Sequence, residues 1–206
     1  IGTTGGGIAG TEDSAPDNPI PETGLSLELS EDDPYQGSKS EAQVAIIEFS
    51  DYECPFCKKF HEGAREDIVE NYVENGEAIL VWKDLPLPFH DPLATNQAVA
   101  AQCVNRIAGK DAYFEYSDAI FDTTESNGNG MEEEGLKELA FGIEDLNMDE
   151  FNTCYDEQET LDKVQANMDD ATTVGINGTP GFLIGKLEGD SIVEARRVSG
   201  ALPFAQ

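Results

Sequence analysis

The sequence predicts an α/β protein whose central sheet is interrupted by a block of helices. Val44–Phe49 is an apolar run rich in β-branched residues, typical of a strand covered on both faces. Ala78–Leu85 is a second such run. From about residue 91 to residue 174 the apolar positions follow helical spacing, and further strand patterns come after them. The sheet is therefore expected to form from segments on both sides of a helical insertion.

The first 24 residues are mostly Gly, Thr, Ser, Pro, Asp and Glu, with almost no apolar period. This composition predicts a flexible acidic tail. The chain starts at Ile1 rather than Met, which fits either a removed secretory signal, with or without a lipid anchor, or a plain truncation. Leu25–Leu29 then alternates apolar and polar residues and predicts a short strand at a sheet edge.

The charge is unusual for a folded chain. The 206 residues include 12 basic and 42 acidic side chains, for a net charge of −30, yet 39% of residues are hydrophobic and keep their periodicity. An acidic surface on a packed core suits high salt, because dissolved ions screen the repulsion between the acidic side chains. We therefore expect a halophilic protein from a halophilic archaeon. The same charge disfavours nucleic acid and anionic membrane surfaces as partners.

Cys54-Pro55-Phe56-Cys57 follows the first buried strand and opens a helix predicted to run to about Glu74. Free backbone N–H groups and the helix dipole at such a junction stabilise a thiolate, so the pKa of Cys54 should fall below about 8.5. Proline is accepted at the first helical position, and the spacing lets Cys57 close a small disulfide. The motif therefore predicts a redox-active pair.

Two other uses of a C-x-x-C motif are half of a zinc site and an inert disulfide. A closed zinc site needs four ligands, and the remaining candidates form no second tight pair. These candidates are Cys103, Cys154, His61 and His90. Redox chemistry is therefore favoured over both alternatives.

Glu48 is the one charged residue in the first buried strand, six positions before Cys54. A carboxyl group buried there should have a raised pKa and could relay a proton to the resolving thiol of Cys57. The alternative is a strand-end glutamate that points to solvent. Phe56 is expected to be exposed at the active surface, and His61 is expected to be a surface residue of the helix.

The helical block divides into five predicted helices. They are Leu93 to near Gly109, a second capped by Asp111, Met131–Phe141, Met148–Cys154 and Thr160–Val174. Cys103 and Cys154 fall in the first and fourth of these helices, among apolar residues, where a disulfide or two buried thiols would both pack. Ser191–Val198 predicts an edge strand after a turn.

Two motifs together carry a family resemblance. Glu48-Phe-Ser-Asp-Tyr-Glu-Cys-Pro-Phe-Cys57, followed by Gly175-Ile-Asn-Gly-Thr-Pro-Gly-Phe-Leu-Ile-Gly185, resembles the DsbA-like thiol-disulfide oxidoreductases of the thioredoxin superfamily over about residues 40–204. The resemblance implies a thioredoxin fold with an α-helical insertion domain. Residues 25–90 and 175–206 would form the discontinuous thioredoxin-like domain, and residues 91–174 the insertion. The family's final helix would begin near the point where this chain ends, so it would be truncated.

The resemblance also implies roles for individual residues. Thr179–Pro180 would be a cis peptide lying against the cysteine pair, with the backbone of Thr179 free to hold a substrate strand. Cys54 would form the mixed disulfide, Cys57 would resolve it, and Glu48 would manage the proton. A disulfide between Cys103 and Cys154 is favoured by the oxidising compartment that such a function implies.

The expected partners are unfolded or extended polypeptides with thiols, and a membrane protein that reoxidises the pair. The protein is expected to be an extracytoplasmic monomer, secreted or anchored through a removed N-terminal segment, that needs no cofactor or metal. A disulfide reductase or isomerase is an alternative activity. A non-catalytic thioredoxin-like module that binds metal through Cys54 and Cys57 is another.

Overall fold

The structure is a computed structural model that describes residues 22–204. Its strands are β1 (Thr23–Glu28), β2 (Tyr35–Gln36), β3 (Val44–Ser50), β4 (Ala78–Asp84), β5 (Gly181–Glu188) and β6 (Ser191–Ser199). They form one six-stranded sheet in the order β1-β6-β5-β3-β4-β2. Only β3 and β4 are parallel neighbours, and every other adjacent pair is antiparallel. The predicted α/β class is confirmed.

The helices lie between the strands in the chain. They are α1 (Pro55–His61), α2 (Ala64–Ile68), α3 (Leu93–Ala108), α4 (Lys110–Thr123), α5 (Glu133–Phe141), α6 (Met148–Tyr155) and α7 (Gln158–Thr173), with a π-helical turn at Val69–Val73. Five of them, α3 to α7, separate β4 from β5. No helix within residues 22–204 is long and apolar enough to cross a membrane.

Both faces of the sheet are covered, which explains the continuous apolar runs of β3 and β4. Phe60 of α1 packs with Leu80 and Phe182 on one face. Ala171 of α7 packs with Ile47 and other strand residues on the opposite face. A third cluster fills the helical block and reaches the sheet through Tyr52 and Trp82, whose rings stack with centroids 5.1 Å apart.

Several predicted element boundaries are wrong. The single helix expected from Pro55 to Glu74 breaks at Gly63, whose φ of −143° and ψ of −99° are not helical. The second helix of the block begins at Lys110, so Asp111 lies in its first turn and Gly109, at φ +86°, is its N-cap. The polar segment Ser30–Glu41 is typical of a loop by its composition, yet the short strand β2 falls within it.

The sequence predicted that Ser191–Val198 is an edge strand, and this prediction is wrong. The corresponding strand, β6, lies in the interior of the sheet. It pairs with β5 on one side and with β1 on the other, which leaves β1 and β2 as the edges. Local alternation could not reveal this, because the pairing partner β1 lies about 165 residues earlier.

The predicted acidic tail, residues 1–24, lies outside the described residues up to position 21, and β1 already begins at Thr23.

Candidate active site

The cysteine pair lies where β3 gives way to α1. Cys54 is the N-cap of α1, with extended φ and ψ of −83° and 118°, and Pro55 occupies the first helical position. Both thiols are free. Cys57 is fully buried, whereas Cys54 is 4% exposed. Both cysteines are therefore buried, and only Cys54 retains a small exposed area.

The two thiols have pKa values shifted in opposite directions. A hydrogen bond from the Cys57 side chain lowers the pKa of Cys54 to about 6, assisted by Thr179 and by the backbone N–H groups at the helix start, while burial opposes the shift. Burial raises the pKa of Cys57 well above its usual value, and the neighbouring charges of Cys54 and Glu48 raise it further. Near neutral pH, Cys54 is therefore a thiolate and Cys57 a thiol.

The loop before β5 approaches the cysteine pair from the other end of the chain. The peptide bond between Thr179 and Pro180 is cis. The Thr179 carbonyl oxygen lies 3.5 Å from Sγ of Cys54, across 125 positions of sequence. A cleft of about 590 Å³ runs along this loop and is lined by Gly178, Thr179 and Pro180 among others. The structure thus places Thr179 and Pro180 in direct reach of Cys54.

Glu48 lies in β3 beneath the pair. It is 1% exposed, and its strand neighbours in register are Trp82 and Phe182. Neither carboxylate oxygen has a hydrogen-bond partner within residues 22–204. Burial therefore raises the pKa of Glu48 to about 7; the Ser50 side chain and the Arg65 charge oppose the shift, and the Cys54 charge adds to it. Such a carboxyl group can exchange a proton near neutral pH.

The dipeptide between the cysteines faces outward. Pro55 is exposed, and the Phe56 side chain is 62% exposed. The Phe56 side chain carries no charge, so the contribution of this residue to the thiolate comes from its backbone N–H alone. The exposed ring offers an apolar contact immediately beside the reactive sulfur.

The expectation that His61 is a surface residue is wrong. His61 is buried, and its ring lies 4.5 Å from the Phe121 ring, centroid to centroid, in a tilted arrangement. Its Nε2 lies 2.8 Å from a carboxylate oxygen of Asp118 in α4. Arg65 approaches the same carboxylate at 3.6 Å. The helix face that sequence spacing assigned to solvent is covered by the helical insertion, a contact that local pattern does not show.

Two acidic residues near the pair, Asp51 and Glu53, could not be identified as buried from the sequence. Asp51 is buried and accepts hydrogen bonds from the backbone N–H of Leu87 and Glu53, and its carboxylate lies 2.7 Å from Nδ1 of His90. Burial raises the pKa of Asp51, against the opposing effect of His90. Glu53, adjacent to Cys54, is fully buried. Among 42 acidic residues, nothing in the sequence marked these as interior.

The other two cysteines form a disulfide. Sγ atoms of Cys103 in α3 and Cys154 in α6 are 2.00 Å apart, and both residues are fully buried. The side chain of Thr160 lies near both sulfurs. The bridge therefore links two helices inside the insertion core.

Within residues 22–204, no group of three or more His, Cys, Asp or Glu side chains is arranged to hold a metal ion.

Comparison with known proteins gives relatives of two kinds. The chain is 27% identical over 144 residues to the Na(+)/H(+) antiporter NhaA 3 of Salinispora tropica, covering 70% of this chain and 20% of that protein. It is 23% identical over 154 residues to the "Probable disulfide bond formation protein D" of Bacillus anthracis, covering 71% of this chain and 67% of that protein. The chain thus spans about a fifth of the length of the antiporters it matches.

Among solved structures, Wolbachia pipientis alpha-DsbA1 is similar with a TM-score of 0.72 and 23% sequence identity, over 87% of this chain and 88% of that one. This likeness confirms the predicted thioredoxin fold with helices inserted into it. The family model described as thioredoxin matches residues 29–202, which is most of the chain. The chain therefore belongs to this thioredoxin family.

Proposed function

We propose that the chain is a thiol-disulfide oxidoreductase that forms disulfides in secreted or cell-surface proteins through its Cys-Pro-Phe-Cys pair. The observation that carries the proposal is the joint placement of Cys54, at the start of α1, and the cis Thr179–Pro180 peptide within 3.5 Å of it. The printed name of the Bacillus anthracis relative supports the same chemistry.

The reaction begins with Cys54 and Cys57 joined as a disulfide. A substrate thiolate attacks Sγ of Cys54, forms a mixed disulfide with it and displaces Cys57 as the leaving sulfur. A second substrate thiolate then attacks the substrate sulfur of the mixed disulfide and releases Cys54 as a thiolate. The substrate loses two electrons and two protons, the electrons reduce the cysteine pair, and the protons pass to Cys57 and to solvent.

Each residue around the pair has a distinct part in this cycle. Thr179 and Pro180 present backbone beside Cys54, where an extended polypeptide can pair with it and hold its thiol in line for attack. Glu48, with a pKa of about 7, supplies the proton that Cys57 takes up as it leaves and accepts that proton during reoxidation. The low pKa of Cys54 makes it the better leaving group in the second step.

Net oxidation follows from the stabilised thiolate, because a stabilised reduced form makes the disulfide a stronger oxidant. The pKa of Cys54, about 6, lies between the values of about 7 for thioredoxin and about 3.5 for DsbA. We expect a reduction potential between the corresponding values of about −270 mV and about −120 mV. Equilibration with a glutathione buffer in molar salt measures it, and a value at or below that of thioredoxin would indicate a reductase.

The proposed setting is extracytoplasmic, where a membrane redox partner reoxidises the pair after each cycle. The protein would act there as a monomer on thiol-bearing extended polypeptides, in high salt. Residues 22–204 carry the exposed acidic side chains that such a medium screens.

The decisive test of function is oxidation of a reduced, unfolded polypeptide by the oxidised protein. Replacement of Cys54 and Cys57 by Ser should abolish the reaction, because the other two cysteines, Cys103 and Cys154, are fully buried in a disulfide. The matched control is the Cys103→Ala and Cys154→Ala double variant, which removes the same number of cysteines and should retain exchange. Activity in the first variant, or bound copper or zinc in the reduced wild type without exchange, would refute the assignment.

Adaptation to salt is tested by thermal unfolding in increasing KCl. Screening should raise Tm steadily from about 0.1 M to about 2 M, because the Debye length falls from about 10 Å to under 3 Å over that range. A matched measurement with an uncharged osmolyte separates screening from general exclusion effects. An unchanged Tm would contradict a halophilic protein.

A further inference from the structure

Glu53 is the residue immediately before Cys54, and it is fully buried. Its carboxylate accepts hydrogen bonds from two backbone N–H groups of the loop between α4 and α5, those of Gly128 at 2.9 Å and Gly130 at 3.1 Å. These donors are 75 and 77 positions away in sequence. A single side chain next to the reactive cysteine therefore holds a loop of the helical insertion.

Two side chains complete the set of donors. The Thr124 hydroxyl donates to Oε1 of Glu53 at 2.7 Å, and Nε2 of Gln97 donates to the same oxygen at 2.6 Å. A carboxylate only accepts, so four donors match it, whereas a glutamine amide would set its own N–H against donors. The set of four donors therefore matches a carboxylate and not an amide at this position.

The loop is also held at its backbone. Asn127 N–H donates to the Glu53 carbonyl at 2.7 Å, and Nζ of Lys58, in α1, donates to the Thr124 carbonyl at 3.0 Å. The fit around the carboxylate leaves no spare space, because a Cβ added at Gly130 would lie 1.8 Å from Oε1 of Glu53. Residues 124–130 are thus hydrogen-bonded to the Glu53 carboxylate, to the Glu53 carbonyl and to the Lys58 side chain, all of which lie close to Cys54 in sequence.

Electrostatics alone would disfavour this arrangement. All four donors to the carboxylate are neutral groups, and no ion pair to Glu53 is formed within residues 22–204. A buried negative charge one residue from a cysteine opposes a second negative charge on its sulfur. Any favourable effect of Glu53 on Cys54 must therefore come from the hydrogen bonds by which it holds loop 124–130 in place.

We propose that Glu53 is a positioning residue, which clamps loop 124–130 of the insertion onto the active-site turn and thereby fixes Cys54 in its reactive orientation. The proposal rests on the proposed function, since it names what prepares that function's reactive cysteine. It also makes the helical insertion a structural part of the reactive centre as well as a cover over it.

The contact between Glu53 and loop 124–130 can be weakened by a substitution at Glu53 or by one in the loop. Glu53→Gln removes the acceptor that matches four donors, and Gly130→Ala keeps the carboxylate but pushes the loop away from it. Asp84→Asn is the matched control for the first, because Asp84 is a buried carboxylate whose donors, Trp82, Gln102 and Asn167, are likewise neutral. Gly135→Ala is the control for the second, because an added Cβ there meets only the side chain of Met131.

The readout is the rate of iodoacetamide alkylation of Cys54 in the reduced protein from pH 4 to pH 9, with the modified peptide identified by mass spectrometry. Thermal unfolding of each variant is recorded in parallel. This measurement needs no substrate protein. A wild type that fails to oxidise polypeptides would therefore refute the proposed function and leave the clamp to be judged by alkylation alone.

A loosened turn weakens the hydrogen bonds that stabilise the thiolate, so both clamp variants should raise the pKa of Cys54 from about 6 toward its ordinary value. Alkylation at pH 7 should then slow by about twofold to tenfold, since the thiolate fraction falls. In the two control variants the pH dependence of Cys54 alkylation should match that of the wild type, whether or not Tm changes.

Two results would overturn the proposal. A lower pKa of Cys54 in Glu53→Gln, with Gly130→Ala unchanged, would show that Glu53 acts only through its charge. A lower Tm in both clamp variants with an unmoved alkylation profile would show a purely structural role. If Glu53→Gln fails to fold, Gly130→Ala alone still distinguishes positioning from structure.

Discussion

The chain contains two cysteine pairs that differ in almost every respect except composition. Cys54 and Cys57 are three positions apart at the start of α1, are free, and have pKa values shifted in opposite directions. Cys103 and Cys154 are 51 positions apart, joined and fully buried between two helices. The difference teaches that the properties of a sulfur depend on where the backbone places it, because a helix start and a cis peptide lie beside the first pair.

The surroundings reinforce the contrast. The first pair has an ionisable carboxyl group beneath it at Glu48 and a cis peptide beside it at Pro180. The second has the Thr160 hydroxyl near its sulfurs and otherwise lies within an apolar cluster. The first environment can therefore supply and remove protons near neutral pH, whereas the disulfide of the second lies among apolar side chains.

The largest expected effect on stability comes from opening the buried bridge. Cys103→Ala with Cys154→Ala should lower the free energy of unfolding by about 2–4 kcal/mol, because a loop of this length gains entropy in the unfolded chain. Denaturant unfolding in constant high salt measures the change. Exchange activity should persist at temperatures where the variant is folded, and a loss of exchange in the folded variant would contradict the division of roles between the pairs.

A somewhat smaller effect is expected at the carboxyl group beneath the reactive pair. The pKa of Glu48 is about 7 in the folded protein and near 4.5 when unfolded, so the folded state binds more protons between these values. Stability should therefore fall as pH rises through this window, by about 3 kcal/mol in total.

Glu48→Gln should remove this slope and raise stability at pH 8. Unfolding of the disulfide form at pH 4, 6 and 8 measures it and keeps the Cys54 titration out of the comparison. The same variant should slow reoxidation of Cys57, which needs the proton acceptor. A slope that persists in Glu48→Gln would assign the proton to another group.

The smallest expected effect concerns the dipeptide between the reactive cysteines. Phe56→His adds a positive charge beside the thiolate at an exposed position, which should lower the pKa of Cys54 by roughly one unit. The disulfide should become more oxidising by about 30 mV, the equivalent of a tenfold change in equilibrium constant. Phe56→Leu is the uncharged control, and an equal shift in both variants would exclude charge as the cause.

The sequence by itself determined the α/β class, the buried strands β3 and β4 and the placement of Cys54 and Cys57 at a helix start. Each of these depends on neighbouring residues: a β-branched run predicts its strand, and the two cysteines with Pro55 between them predict a thiolate at a helix start. Thr179 and Pro180 could be connected to that pair only through a family resemblance, since 125 positions separate Thr179 from Cys54.

Only the tertiary structure decided which polar residues are interior. Local spacing assigned His61 to solvent, but α4 covers it, and β1 converts β6 from an edge into an interior strand. Glu53 is one more acid in an acidic sequence until loop 124–130 folds back and supplies its donors. The physical reason is that a strand, a helix or a nucleophilic motif is set by neighbours along the chain. The burial of a charge, in contrast, depends on groups that only the completed fold brings within hydrogen-bond distance.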